Sequence, residues 1–144
     1  MRKLATVAAC LMVLACSSAG TENTLVDVEL VQLKGPAEQN FPFGRFEVQY
    51  GIRVRNRSQE PVTLHQLALE PASPGGPYVV LRDRYTLNRA VAPSATDETT
   101  LWARARATGS RDSVDAHAPV SIRAIAYFEA PSGAFRKIMM VTFR

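Results

Sequence analysis

Residues 45–55 read Arg-Phe-Glu-Val-Gln-Tyr-Gly-Ile-Arg-Val-Arg. Phe46, Val48, Tyr50, Ile52 and Val54 occupy alternate positions, with Arg45, Glu47, Gln49, Gly51, Arg53 and Arg55 between them. A period of two held over eleven residues predicts a strand with one face on a core and the other in water, because successive side chains of an extended chain point to opposite sides. The stretch ends in Asn56-Arg57-Ser58-Gln59-Glu60-Pro61, a run of turn formers.

Working outward from this strand, the same logic recurs. In Val62 to Leu69, Val62 and Leu64 hold one phase while Leu67 and Leu69 hold the other. One extra residue reverses the faces of a strand, so a β-bulge is predicted at His65-Gln66. On the N-terminal side, Val26, Val28 and Leu30 share a phase and Val31 and Leu33 take the opposite one. That slip suggests a first strand that passes from one sheet to another. Pro71-Ala72-Ser73-Pro74-Gly75-Gly76-Pro77 is a loop by composition. Tyr78 to Leu81 reads as a short edge strand, and Tyr85, Leu87 and Val91 lead into the turn Ala92-Pro93-Ser94-Ala95-Thr96. Thr99 to Ala107 alternates again, with Leu101, Ala103 and Ala105 on one side and Trp102, Arg104 and Arg106 on the other. Val120 to Phe128 and Phe135 to Phe143 are two further strands, joined through Pro131-Ser132-Gly133, where Pro presets φ and Gly accepts a positive φ.

About seven short strands without helical periodicity predict an all-β fold, an antiparallel Ig-like or fibronectin-III-like β-sandwich over residues 25–144. Its expected core contains Phe46, Tyr50, Ile52, Val54, Leu64, Ile122 and Phe128. The layout resembles Ig-like domains of small bacterial lipoproteins. The shared features are Ile52-Arg53-Val54-Arg55-Asn56, then Ser58 and Pro61-Val62-Thr63-Leu64, and later Val91-Ala92-Pro93; Ala95 and Thr96 stand where the family commonly has a Gly. The resemblance implies a fold and hardly constrains function.

The N-terminus reads as an address. Arg2 and Lys3 precede an uncharged apolar run from Leu4 to Ala15, the length of a signal-peptide core and too short to span a bilayer. Val13-Leu14-Ala15-Cys16 resembles the bacterial lipobox, with Leu14 where a small residue is usual. The resemblance implies cleavage before Cys16 and a lipid on its thiol, with residues 1–15 removed; the alternative is cleavage after Ala19, giving a soluble periplasmic protein. Ser17 after the cysteine is similar to the outer-membrane sorting pattern. Residues 16–24 then form the lipidated cysteine and a small, polar tether whose last eight residues reach at most about 28 Å.

The chain of 144 residues carries a formal charge of +4. With Arg2 and Lys3 set aside, 15 basic side chains face 13 acidic ones, too even a balance for nucleic-acid binding. The only cysteines are Cys10 and Cys16, so the domain is expected to fold without disulfides or cofactors. Ser113, Asp115 and His117 sit on alternate positions, an order that puts Asp between the other two and so is wrong for a local catalytic triad. Asp115 and His117, with the remote His65, are the candidates for a small hydrolase or metal site. Asn56-Arg57-Ser58 matches a glycosylation sequon, which the turn reading outweighs. The constellation favoured for binding is arginine: Arg53, Arg55, Arg104 and Arg106, expected on one outer sheet face with Trp102. Guanidinium forks hold carboxylate or phosphate bidentately. The expected partners are the membrane, through the anchor, and an envelope protein or anionic envelope polymer. The competing expectation is that Asp27, Glu29 and Glu47 neutralise the face, with Arg53 and Arg55 paired and Arg104 and Arg106 freer.

Overall fold

The computed structural model describes residues 23–35, 44–72, 76–108 and 119–143. Eight strands form two antiparallel four-stranded sheets: β1 (Val26–Lys34), β2 (Arg45–Asn56), β3 (Val62–Pro71), β4 (Tyr78–Val80), β5 (Asp83–Val91), β6 (Thr96–Ala107), β7 (Val120–Ala130) and β8 (Gly133–Phe143). The sheet orders are β1-β2-β6-β4 and β5-β3-β7-β8. The expected sandwich is present, with one strand more than the sequence pattern shows. The addition is β5, whose apolar residues Tyr85 and Leu87 are only half-buried. The lipobox, the tether and Ser113, Asp115 and His117 lie outside the described residues.

Alternation sets the core. All seven expected core residues are buried, at 8% exposure or less. They close on partners from both sheets, including Val26, Leu30, Leu101, Ala103, Leu67, Leu69 and Ala124. The bulge in β3 falls between Leu64 and Gln66 in its pairing with both neighbours, so Val62 and Leu64 before it and Leu67 and Leu69 after it all face inward. The β7–β8 turn leaves Gly133 at φ +130, where a residue with a Cβ would be strained.

The first strand departs from expectation. It stays in one sheet along its whole length, pairing with β2 from Val26–Asn56 to Lys34–Gln49, with an irregularity only between Gln32 and Lys34. Val31 and Leu33 therefore point out of the sandwich, 41% and 48% exposed. A strand with apolar residues in both phases does not declare which phase faces the core.

Two polar groups are buried within this apolar frame. Tyr78 Oη donates to Gln32 Oε1, and Tyr50 Oη, 3.3 Å away, donates to Tyr78. Burial, with Tyr78 alongside, pushes the Tyr50 hydroxyl far above its usual range. At the end of β2, Asn56 is 0% exposed. Its Nδ2 lies 2.9, 3.2 and 3.1 Å from the carbonyls of Glu60, Val91 and Ala92, so two hydrogens are shared among three acceptors. Its Oδ1 accepts from the Ser58 N–H at 3.0 Å and lies 2.7 Å from Ser58 Oγ. One side chain thus ties the β2–β3 turn to the β5–β6 turn. An amide nitrogen held this way is closed to glycosylation.

On the outer face of the other sheet, His65 bridges three strands. Its Nε2 lies 2.7 Å from Glu129 Oε2 on β7 and its Nδ1 3.0 Å from Asn88 Oδ1 on β5. Asn88 reaches this position in the left-handed region, φ 49, which Asn tolerates. Hydrogen bonds to Asn88 and then Glu129 raise the imidazole pKa above its ordinary value. A raised folded-state pKa gives stability that is complete below the unfolded value and lost as pH rises through the folded one. The urea midpoints of wild type and His65→Gln should therefore differ most at acidic pH and converge above neutrality. A difference independent of pH removes the charged imidazole from the account.

Candidate functional site

The outer face of the β1-β2-β6-β4 sheet holds every arginine singled out from the sequence. Strands β2 and β6 are antiparallel neighbours with Arg45 opposite Arg106, Glu47 opposite Arg104, Gln49 opposite Trp102, Gly51 opposite Thr100, Arg53 opposite Glu98 and Arg55 opposite Thr96. Arg53, Arg55, Arg104 and Arg106 thus share a face but not a place. Arg104 sits across from Glu47, six positions along β2 from Arg53, or about 20 Å. Numbers that rise together on antiparallel strands run apart in space.

Each expected pair of arginines contains one side chain held by an ion pair and one with none among the described residues. Arg53 is clamped, Nη1 3.1 Å from Glu29 and Nε 2.7 Å from Glu98. The Glu98 hydrogen bond leads in raising its pKa further. Arg55 faces Asp27 across the β1–β2 ladder, but Asp27 turns to Arg57, with Nε–Oδ2 at 3.0 Å. Arg55 has no ion pair among the described residues. Arg104 reaches Asp83 at the start of β5, 2.5 Å from Nη2 and 3.2 Å from Nε. Arg104, and next the backbone N–H of Arg84, hold the Asp83 carboxyl below its usual range. Arg106 again has no ion pair among the described residues. The expectation that Arg53 and Arg55 would be paired and Arg104 and Arg106 freer is therefore corrected: the split runs within each pair, because the acceptor of Arg104 comes from the other sheet. All of these ion pairs are exposed and contribute little net stability.

Between the two charged ends the face is apolar. Trp102 is 43% exposed, close in register to outward-pointing Val31 and Leu33. Beside them lies a shallow depression of about 230 Å³ bordered by Val31, Leu33, Gly51, Arg53, Glu98 and Thr100. A Cβ at position 51 would lie 3.1 Å from Val31 Cγ2 and 3.3 Å from Leu33 Cδ1, so the glycine lets these two side chains fold down over the sheet and cover it. Sequence reasoning missed this apolar centre because it turned Val31 and Leu33 inward. It also passed over Arg45, whose partner on β6 only the register reveals.

The alternative chemical site gains no geometry. Asp115 and His117 are outside the described residues, and both ring nitrogens of His65 are engaged by Asn88 and Glu129. Among the described residues no group of three His, Cys, Asp or Glu side chains is placed to hold a metal ion.

No protein-family model matches the chain, and no curated protein matches it. Solved structures do share its fold. A Northeast Structural Genomics Consortium target superimposes with a TM-score of 0.52 at 12% identity, covering 85% of this chain and 87% of that one. A protein from Archaeoglobus fulgidus gives 0.52 at 10% identity, covering 81% and 92%. The GAE domain of yeast GGA1 gives 0.52 at 14% identity, covering 86% and 96%. At such identities the likeness establishes the antiparallel β-sandwich and nothing finer.

Proposed function

We propose that the chain is a lipoprotein of the bacterial cell envelope, tethered to a membrane through Cys16, whose sandwich is a non-enzymatic module that docks an envelope protein on the outer face of the β1-β2-β6-β4 sheet. The observation that carries the docking role is the exposed apolar centre formed by Trp102, Val31 and Leu33, the last two lying over Gly51. Large apolar side chains grouped on a rigid sheet and rimmed by charge suit a protein partner. The apolar run ending in Val13-Leu14-Ala15-Cys16 supports the anchor, and Ser17 supports the outer membrane.

The test joins both halves. Mass spectrometry of the mature N-terminus should find a lipidated Cys16, and Cys16→Ala should move the protein to the soluble fraction with its fold intact. In-cell cross-linking of the wild type should give a defined protein adduct, absent when Trp102→Ala and Leu33→Ala are combined. An unmodified N-terminus at Gly20 removes the anchor; an adduct that survives the double variant removes the docking face.

A further inference from the structure

We propose that Arg45 and Arg106 form a carboxylate-binding site for an acidic segment of the docked partner; the proposal rests on the docking role above and names the chemistry of its charged end. The argument begins with the ladder. Ala107 N donates to Gly44 O at 2.9 Å, which makes Gly44–Ala107 a hydrogen-bonded pair. Arg45–Arg106 then falls on the adjacent narrow position, where facing Cα atoms are about 4.5 Å apart and side chains are closest. Two exposed arginines therefore stem from directly facing backbone positions.

Like charges directly opposite each other on a sheet are destabilising, and neither arginine has an ion pair among the described residues; the carboxylate nearest in the ladder, Glu47, stands opposite Arg104. Arg106 has Arg45 on one side and Val79 on the other. The β1–β2 ladder stops at Lys34–Gln49, so no β1 carboxylate reaches Arg45. Asp83, the carboxylate that enters from the other sheet, is bound to Arg104. Two facing arginines with no ion pair among the described residues can offer ten N–H donors to one oxyanion, the chemistry that favours bidentate capture.

The position selects the source of that oxyanion. The described chain enters β1 at Val26, opposite Asn56, whereas Arg45 is at the other end of the twelve-residue β2, about 36 Å away. A membrane tethered beyond Val26 is thus remote from the pair, which disfavours lipid phosphate. Trp102, four residues from Arg106 on the same face, is about 13 Å away, so an extended partner chain can lie over the apolar centre and end in an acidic side chain here.

The full chain in neutral detergent is titrated calorimetrically with a hexaglutamate peptide as probe. Saturable binding that weakens with salt is expected. Arg45→Gln with Arg106→Gln should weaken it at least tenfold, while Arg53→Gln, at a clamped position, should not. Arg106→Glu should abolish binding yet raise Tm, because it replaces repulsion by attraction across the ladder; a loss of binding through unfolding would lower it. Equal binding by the double Gln variant, or none by the wild type, overturns the site. So does displacement of the peptide by mixed micelles of phosphatidylglycerol but not phosphatidylcholine, which reassigns the pair to lipid. Cross-linking separates the two proposals: an adduct sensitive to Trp102 but indifferent to the Arg45 and Arg106 variants leaves the docking face standing and removes the carboxylate site.

Discussion

Asn56→Ala should destabilise the domain by about 3–5 kcal/mol. The side chain is 0% exposed, and its removal strips hydrogen bonds from the carbonyls of Glu60, Val91 and Ala92 and from the Ser58 N–H. Each buried group left without a partner costs about 1–3 kcal/mol, though not additively. Against a total stability of about 5–15 kcal/mol for a domain, this single change approaches the threshold of folding. Asn56→Asp should be similarly severe, since it replaces the amide donor that faces three carbonyls by an acceptor. Urea denaturation gives the answer. A loss below 1 kcal/mol for Asn56→Ala, with unchanged denaturant slope, shows that the two turns hold together without it.

Ile122→Ala should cost about 2–5 kcal/mol, the range for emptying a close-packed site that cannot collapse. Ile122 is 0% exposed and lies between Pro71 of β3 and Val141 of β8 in the sheet. Its neighbour Arg123 points outward, 3.6 Å from Glu70 and half-exposed, so Arg123→Ala should cost less than 1 kcal/mol. Adjacent residues with opposite outcomes test the alternation itself. Comparable losses at both positions, read from thermal or urea unfolding, show that the faces are not divided as described.

The sandwich was legible wherever one face of a strand is apolar and the other is not. Arg45–Arg55 is unambiguous, and the bulge at His65 announced itself because one extra residue reverses the phase. Strand β5 was harder: its Tyr85 and Leu87 are half-buried, and Asn88 in the left-handed region interrupts the alternation before Val91. Val31 and Leu33 misled for a different reason, since hydrophobicity alone cannot say that an apolar residue stays in water. The site was less legible than the fold. That Arg53 and Arg104 share a face follows from strand parity; that they stand about 20 Å apart, and that Arg106 meets Arg45, depends on a register joining residues some sixty positions apart. The features that carry the resemblance to Ig-like lipoprotein domains have a physical meaning in the Asn56 network, where Asn56, Ser58, Val91 and Ala92 are one hydrogen-bonded unit.

The four outer strands also bear on how such a domain can be held at high concentration without polymerising. An open sandwich has four rims of unpaired backbone, each a template on which another chain could extend the sheet. Here every rim is spoiled in its own way. Strand β4 has only three residues, β1 is irregular between Gln32 and Lys34, and β5 is kinked where Leu87 and Asn88 fall out of register against His65. Strand β8 is long and regular, but Lys137 occupies the core-facing phase between Phe135 and Met139, opposite Ala126. A foreign strand laid against β8 would shut that ammonium between two sheets without a counter-charge, at a desolvation cost that backbone hydrogen bonds must first overcome. The fold thus keeps its edges shut to sheet extension while leaving an outer face open.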